Sequence, residues 1–146
     1  MWVFTQNKSP KKSKMKIVIM GCNRVGAMVA KAMASDGHSV TVIDVNEDNM
    51  RRLSNAPGIK TLIGDGALME SLKKAGVSEA DVFLALEDRD SRNALAAQKV
   101  QNAFPATRSI CSINDPTRQA MYIDLGLQAI SPAGAVSKMI IDAVGR

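Results

Sequence analysis

The stretch Lys16-Ile17-Val18-Ile19-Met20-Gly21-Cys22-Asn23-Arg24-Val25-Gly26 orders the reading of everything around it. Its first five residues form a nearly continuous apolar run rich in β-branched side chains, as expected of a strand buried on both faces. Gly21 ends the run. From Val25 onward Val25, Met28, Val29, Ala32 and Met33 recur at helical spacing, and Asp36-Gly37 closes the pattern. A buried strand turning through glycines into a helix is the opening of a β-α-β unit.

The same alternation runs down the chain. Ser39–Asp44 reads as a second strand, followed by a polar helix over Glu47–Leu53 and the breaker Ala56-Pro57-Gly58. Thr61–Ile63 reads as a third strand, closed by Gly64-Asp65-Gly66; a helix across Leu68, Leu72 and Ala75 then stops at Gly76. Asp81–Leu86 and Arg108–Ile113 read as the fourth and fifth strands, with a helix from about Ser91 to Ala103 between them. Asp115-Pro116 and Ser131-Pro132 each place a capping side chain before a first-turn proline. They open helices on either side of a sixth strand, Leu127–Ile130, and the last helix runs to about Val144. The alternation predicts an α/β fold: a Rossmann-like doubly wound six-stranded parallel sheet with helices on both faces. Such a sheet binds ligands beyond the carboxyl ends of its strands, where strand order reverses.

Composition agrees and narrows the function. The 146 residues are 46% hydrophobic and 23% charged, which suits one globular domain. The net charge of +5 comes from Lys8, Lys11, Lys12, Lys14 and Lys16, which leave fourteen basic residues against fourteen acidic ones elsewhere. Residues 1–14 therefore read as a basic flexible arm, and 15–146 as a single Rossmann-type domain with a nearly neutral body. A phosphate-neutralising face for nucleic acid is not expected on that body. No apolar run reaches the ~20 residues of a membrane span. Trp2-Val3-Phe4 is too short for a secretory segment, so a cytoplasmic address is expected. Cys22 and Cys111 stand 89 positions apart without a C-x-x-C, and His38 is the only histidine. No zinc signature, disulfide framework or histidine-rich metal site is expected, and His38 reads as a turn residue.

The chemistry lies in the loops after the strands. Gly21-Cys22-Asn23-Arg24-Val25-Gly26 follows the dinucleotide pattern G-x-G-x-x-G, except that Asn23 replaces the middle glycine. In that pattern the first glycine turns the chain, the second admits a pyrophosphate, and the third lets helix and strand pack closely. Asparagine tolerates a left-handed backbone, so the turn survives; its side chain occupies space that a pyrophosphate would use. An ordinary strand-to-helix turn would show the same residues. Asp44 ends the second strand 18 residues after Gly26, where a carboxylate accepts hydrogen bonds from ribose hydroxyls and repels a 2′-phosphate. The alternative for Asp44 is a cap on the helix near Glu47. Gly64-Asp65-Gly66 suits either the border of an adenine or a plain turn. Glu87, Asp88 and Asp90, interleaved with Arg89 and Arg92, read as a solvated helix start. No paired catalytic set stands out and no second domain is in view to hold a substrate, so a binding module rather than an enzyme is expected.

These residues resemble the TrkA N-terminal family, the nucleotide-binding regulatory domains of potassium channels and transporters, also called RCK or KTN domains. The resemblance runs from Met15–Gly26 through Val42-Ile43-Asp44, Ile63–Ala67 and Ala80–Leu86 to Asn114-Asp115-Pro116, Leu125-Gly126 and Ile130-Ser131-Pro132. It implies a cytoplasmic module, not itself membrane-spanning, that pairs into homodimers or larger rings. Such a module senses NAD(H), ATP, ADP or AMP and acts on a membrane potassium channel or transporter; NADP is disfavoured. Carried over, Gly21, Cys22, Asn23, Arg24, Val25 and Gly26 would face the phosphates, and Asp44 with Val45 the ribose. Asp65 and Gly66 would border the adenine, Ala85 and Leu86 would floor the cleft, and Asn93 would stand near the ligand. Two positions depart from the family pattern: Asn23, and Ser112, where many relatives carry an arginine. Losing that arginine removes a phosphate partner, which favours a mononucleotide such as AMP, or a weakened site. The alternatives are an oxidoreductase fragment without its catalytic half, and a dimerisation scaffold whose site has decayed. The Met121, Tyr122, Leu125 stripe and the Val136, Met139, Ile140, Val144 face offer apolar helical surface for dimerisation or for the core.

Overall fold

The computed structural model describes residues 13–145, so most of the arm at 1–14 lies outside the described residues. Six strands, β1 (Lys16–Met20), β2 (Ser39–Asp44), β3 (Ile59–Ile63), β4 (Val82–Ala85), β5 (Arg108–Ser112) and β6 (Gln128–Ile130), form one sheet in the order β3-β2-β1-β4-β5-β6. Every pairing is parallel, and Met20 lies opposite both Ile43 and Ala85 in register. Strand order reverses between β1 and β4, which opens a crevice at their carboxyl ends.

Among the described residues five α-helices connect and follow the strands: α1 (Arg24–Ser35), α2 (Met69–Lys74), α3 (Asp90–Ala103), α4 (Pro116–Asp124) and α5 (Pro132–Val144). Successive β1 side chains point to opposite faces, and the core divides accordingly. Ile17 and Ile19 pack with Val40, Val42 and the α1 residues Ala27 and Ala30. Val18 and Met20 pack with Phe83, Leu72 of α2 and the alanine-rich face of α3. Helices therefore cover both faces, as the alternation predicts.

Local differences have simple causes. Glu47–Leu53 is a 3-10 helix rather than an α-helix, capped by the Asn46 side chain on the Asp48 amide at 2.9 Å. Gly76, at φ 89°, leads into a further 3-10 turn, Val77–Glu79, that periodicity did not reveal. His38 accepts a hydrogen bond from the Met15 amide at 3.0 Å, which ties the chain entering β1 to the turn before β2. The two apolar stripes separate: Tyr122 of α4 packs against the core, whereas no residue of α5 is buried.

Candidate functional site

The crevice at the β1–β4 reversal is a cleft of about 440 Å³. Gly21 starts its first wall. The φ of +112° requires glycine, and a Cβ there would stand 2.9 Å from the Leu86 carbonyl carbon and the Glu87 nitrogen. Gly26 is equally constrained, because a Cβ would run into the Gly21 carbonyl oxygen. The first and third glycines of the pattern thus hold the turn and the helix-strand contact.

Asn23 behaves differently from the sequence expectation. Its backbone is extended, at φ −74° and ψ −174°, so tolerance of a left-handed conformation is not used. The side chain is held within the turn and by the chain leaving β4. Its oxygen accepts from the Gly26 amide at 2.9 Å, capping α1, and its nitrogen donates to the Leu86 carbonyl at 2.7 Å and to Asp88 Oδ1 at 2.9 Å. Arg24 and Val25 hold the first two positions of α1, where amides have no partner within a helix and point at an anion. Their side chains are exposed, and neither lines the cleft.

Asp44 is buried at the cleft wall. Its carboxylate accepts from the Cys22 amide at 2.7 Å, the Asn46 amide at 2.8 Å and Asn49 Nδ2 at 3.2 Å. Because Asn46 caps the 3-10 helix, the capping alternative for Asp44 does not hold. Cys22 is buried beneath the loop with its thiol donating to the Asn49 carbonyl, and burial, followed by the Asp44 charge, pushes that thiol pKa up. Val45 is exposed at the cleft edge.

The opposite wall corrects the reading of the charged run after β4. Glu87 and Arg92 are not a solvated helix start: their side chains are 15% and 28% exposed and meet in the cleft. Arg92 Nε donates to Glu87 at 2.6 Å, and Arg92 Nη2 donates to Asp65 at 2.6 Å. Asp65 also accepts from the Ala67 amide at 2.9 Å. The Arg92 hydrogen bond, then the Ala67 amide, hold the Asp65 carboxyl below its ordinary value. Sequence reasoning missed Arg92; the available signal was its place in the first turn of the helix that borders the crevice.

The remaining predicted residues lie behind this surface. Gly66 sits against Met20, whose side chain a Cβ would overlap. Ala85 is fully buried, and Leu86 packs on the α1 side of the sheet. Asn93 is fully buried, with Oδ1 accepting from the Glu87 amide at 2.9 Å and Nδ2 donating to the Glu87 and Ser112 carbonyls. It braces the β4–α3 corner to β5, and its polar atoms are engaged there rather than in the cleft. Among the described residues no group of three or more His, Cys, Asp or Glu could hold a metal ion, and no helix is long and apolar enough to cross a membrane.

Comparison with known proteins gives this geometry a context. The family model described as the TrkA-N domain matches residues 17–132. The Trk system potassium uptake protein TrkA of Streptomyces coelicolor is 37% identical over 117 residues, covering 80% of this chain and 52% of that protein. The TrkA homolog of Pyrococcus abyssi is 33% identical over 108 residues, covering 74% and 48% respectively. The chain thus spans about half the length of the curated relatives it matches. Among solved structures, the TrkA-N domain of inner membrane protein ybaL from Escherichia coli superposes with a TM-score of 0.79 at 14% identity, covering 89% of this chain and 96% of that one. The Shewanella denitrificans Kef C-terminal domain in its AMP-bound form superposes with a TM-score of 0.76 at 17% identity, covering 89% and 80%. The GsuK channel bound to NAD gives 0.68 at 22% identity, covering 85% and 22%.

Proposed function

This chain belongs to the TrkA-N domain family, and from that premise we propose that it is a cytoplasmic nucleotide-sensing module that regulates potassium transport. The observation that carries the reading is the placement of Asp44: a buried carboxylate ending β2, on the wall of a cleft that the glycine turn at Gly21 also lines, with the adjacent Cys22 amide donating to it. The ligand is NAD(H) or an adenine nucleotide (ATP, ADP or AMP). Its ribose is held by Asp44 and its phosphates by the amides opening α1. A 2′-phosphate would meet the Asp44 charge, which disfavours NADP.

The residues support coupling rather than turnover. Asn23 joins the α1 loop to Asp88, and Arg92 joins α3 to Asp65. The Arg92–Asp65 pair lines the cleft wall, so a nucleotide that enters must make contacts that compete with it. The loops after β1, β3 and β4 then move as one response, which a dimeric partner copy and a membrane potassium channel or transporter read out. The names of the TrkA relatives, all potassium uptake proteins, point the same way.

The test is thermal unfolding across NAD, NADH, NADPH, ATP, ADP and AMP. At ligand concentrations ~100 times the dissociation constant, binding adds about 2.7 kcal/mol. A shift with an adenine nucleotide but not NADPH, lost in Asp44→Ala, supports the sensor. No shift with any of them removes it and leaves a scaffold.

A further inference from the structure

A dinucleotide bound to a sheet of this order lays one nucleotide over each side of the strand reversal and its pyrophosphate between them. Here the two sides are distinct cavities. The cleft described above lies over the ends of β1–β3, with Glu87 and Arg92 beyond β4 closing its far wall, and a second cavity of about 510 Å³ lies over the ends of β4, β5 and β6. Asp88 and Arg89 line both, so they mark the divide. Across it runs the 2.9 Å hydrogen bond from Asn23 Nδ2 to Asp88 Oδ1. Asn23 is fixed by its two other bonds, to the Gly26 amide and the Leu86 carbonyl. A glycine at this position would leave the path open.

The second cavity is also poorly suited to half a dinucleotide. Asp90 already accepts from the Asn114 amide at 2.8 Å and the Asp115 amide at 3.2 Å, and Asn114 Oδ1 accepts from the Ala133 amide. Amides that would meet a second phosphate are taken.

We infer that the cleft takes an adenine mononucleotide held wholly on the β1–β3 side, and that the Asn23–Asp88 bridge is the partition that excludes dinucleotides. The inference rests on the nucleotide-sensor reading and narrows it. The experiment is calorimetric titration of AMP and of NAD into the wild type, Asn23→Gly and Asp88→Ala, each first checked for folding by circular dichroism. In the wild type AMP binds at least tenfold more tightly than NAD, and in both variants that ratio falls at least tenfold. Asp88→Ala keeps the Asn23 cap on α1, so it decides if Asn23→Gly does not fold or if the variants disagree. Equal binding of NAD and AMP by the wild type, or an unchanged ratio in Asp88→Ala, overturns the partition and leaves the sensor standing. Failure of the wild type to bind either nucleotide overturns both.

Discussion

The Arg92 guanidinium stands 2.6 Å from the Asp65 carboxylate and 2.6 Å from Glu87, so one α3 side chain joins the loops after β3 and β4 along one wall of the cleft. Replacing it with Met leaves two half-buried carboxylates without their cation. Hydrogen bonds to charged groups contribute more than neutral ones, and partial exposure reduces the effect, so Arg92→Met is expected to lower stability by about 1–2 kcal/mol. The pH dependence follows from Asp65, whose carboxyl is held below its ordinary 3.8 in the folded state. A depressed folded-state value contributes stability above the unfolded value, and that contribution is lost as pH falls through the folded one. Urea unfolding should therefore separate wild type and Arg92→Met at pH 7 and bring them together as the pH drops below 3.8. A constant difference across that range would mean that the loss is one of packing.

Two glycines separate steric need from backbone need. Gly26 has ordinary backbone angles, but a Cβ would collide with the Gly21 carbonyl. Gly37 has open space around it and a φ of +93°. Overpacking against backbone that cannot move predicts a loss of about 3 kcal/mol for Gly26→Ala. Strain alone predicts about 1 kcal/mol for Gly37→Ala. Denaturant midpoints of the two variants should fall in that order; the reverse order would mean that the α1 loop relaxes freely.

What could be read from the sequence is what depends on local pattern. Strand order aside, all six strands, the two glycine constraints and the position of Asp44 follow from periodicity and spacing. Arg92 does not, because its second partner, Asp65, lies 27 residues away and the charges beside it alternate like those of a wetted helix start. Whether a charge is solvated depends on what the fold places opposite it. Asn23 fails for another reason: residue type allows several backbone conformations, and only the bonds to Leu86 and Asp88 select one. The α5 stripe shows a third limit, since periodicity gives a helix an apolar face without saying what covers it.

Both thiols should be silent in the folded protein. Burial, followed by the Asp90 charge, pushes Cys111 up to about 11, and burial with the Asp44 charge raises Cys22. Thiolate is the reactive form, and both side chains are buried. A disulfide-exchange reagent at pH 7.5 should label neither cysteine until denaturant is added, and then both. Rapid labelling of Cys22 under native conditions would show that the glycine loop opens and its thiol leaves the Asn49 carbonyl.

Asp44 carries structure as well as recognition, which sets how its variants must be read. Asp44→Ala leaves the Cys22 and Asn46 amides without their acceptor, an expected loss of about 1–3 kcal/mol before any ligand is added. Asp44→Asn keeps one oxygen and should lose less. The nucleotide effect must therefore be taken as each variant's own shift on adding ligand. The ligand-free midpoints should rank wild type, then Asn, then Ala. An Ala variant as stable as the wild type would show that water replaces the carboxylate at the loop.

The α5 helix presents its apolar side chains to solvent. Ile140 is 59% exposed, Ile141 69% and Val144 80%, on a helix with no buried residue. Contiguous apolar surface of this kind marks an interaction site, and pairing with a second copy is what the regulatory reading requires. If α5 is covered only in a dimer, Ile140→Asp should change association and leave the isolated fold alone. Light scattering after gel filtration should show the wild type at twice the monomer mass and Ile140→Asp at the monomer mass. The variant's unfolding free energy at dilutions where both are monomeric should differ by no more than about 0.5 kcal/mol, as for a surface substitution. A monomeric wild type would remove the homodimer from the proposal. A loss well beyond that limit in the dilute variant would instead place Ile140 against the body of its own domain.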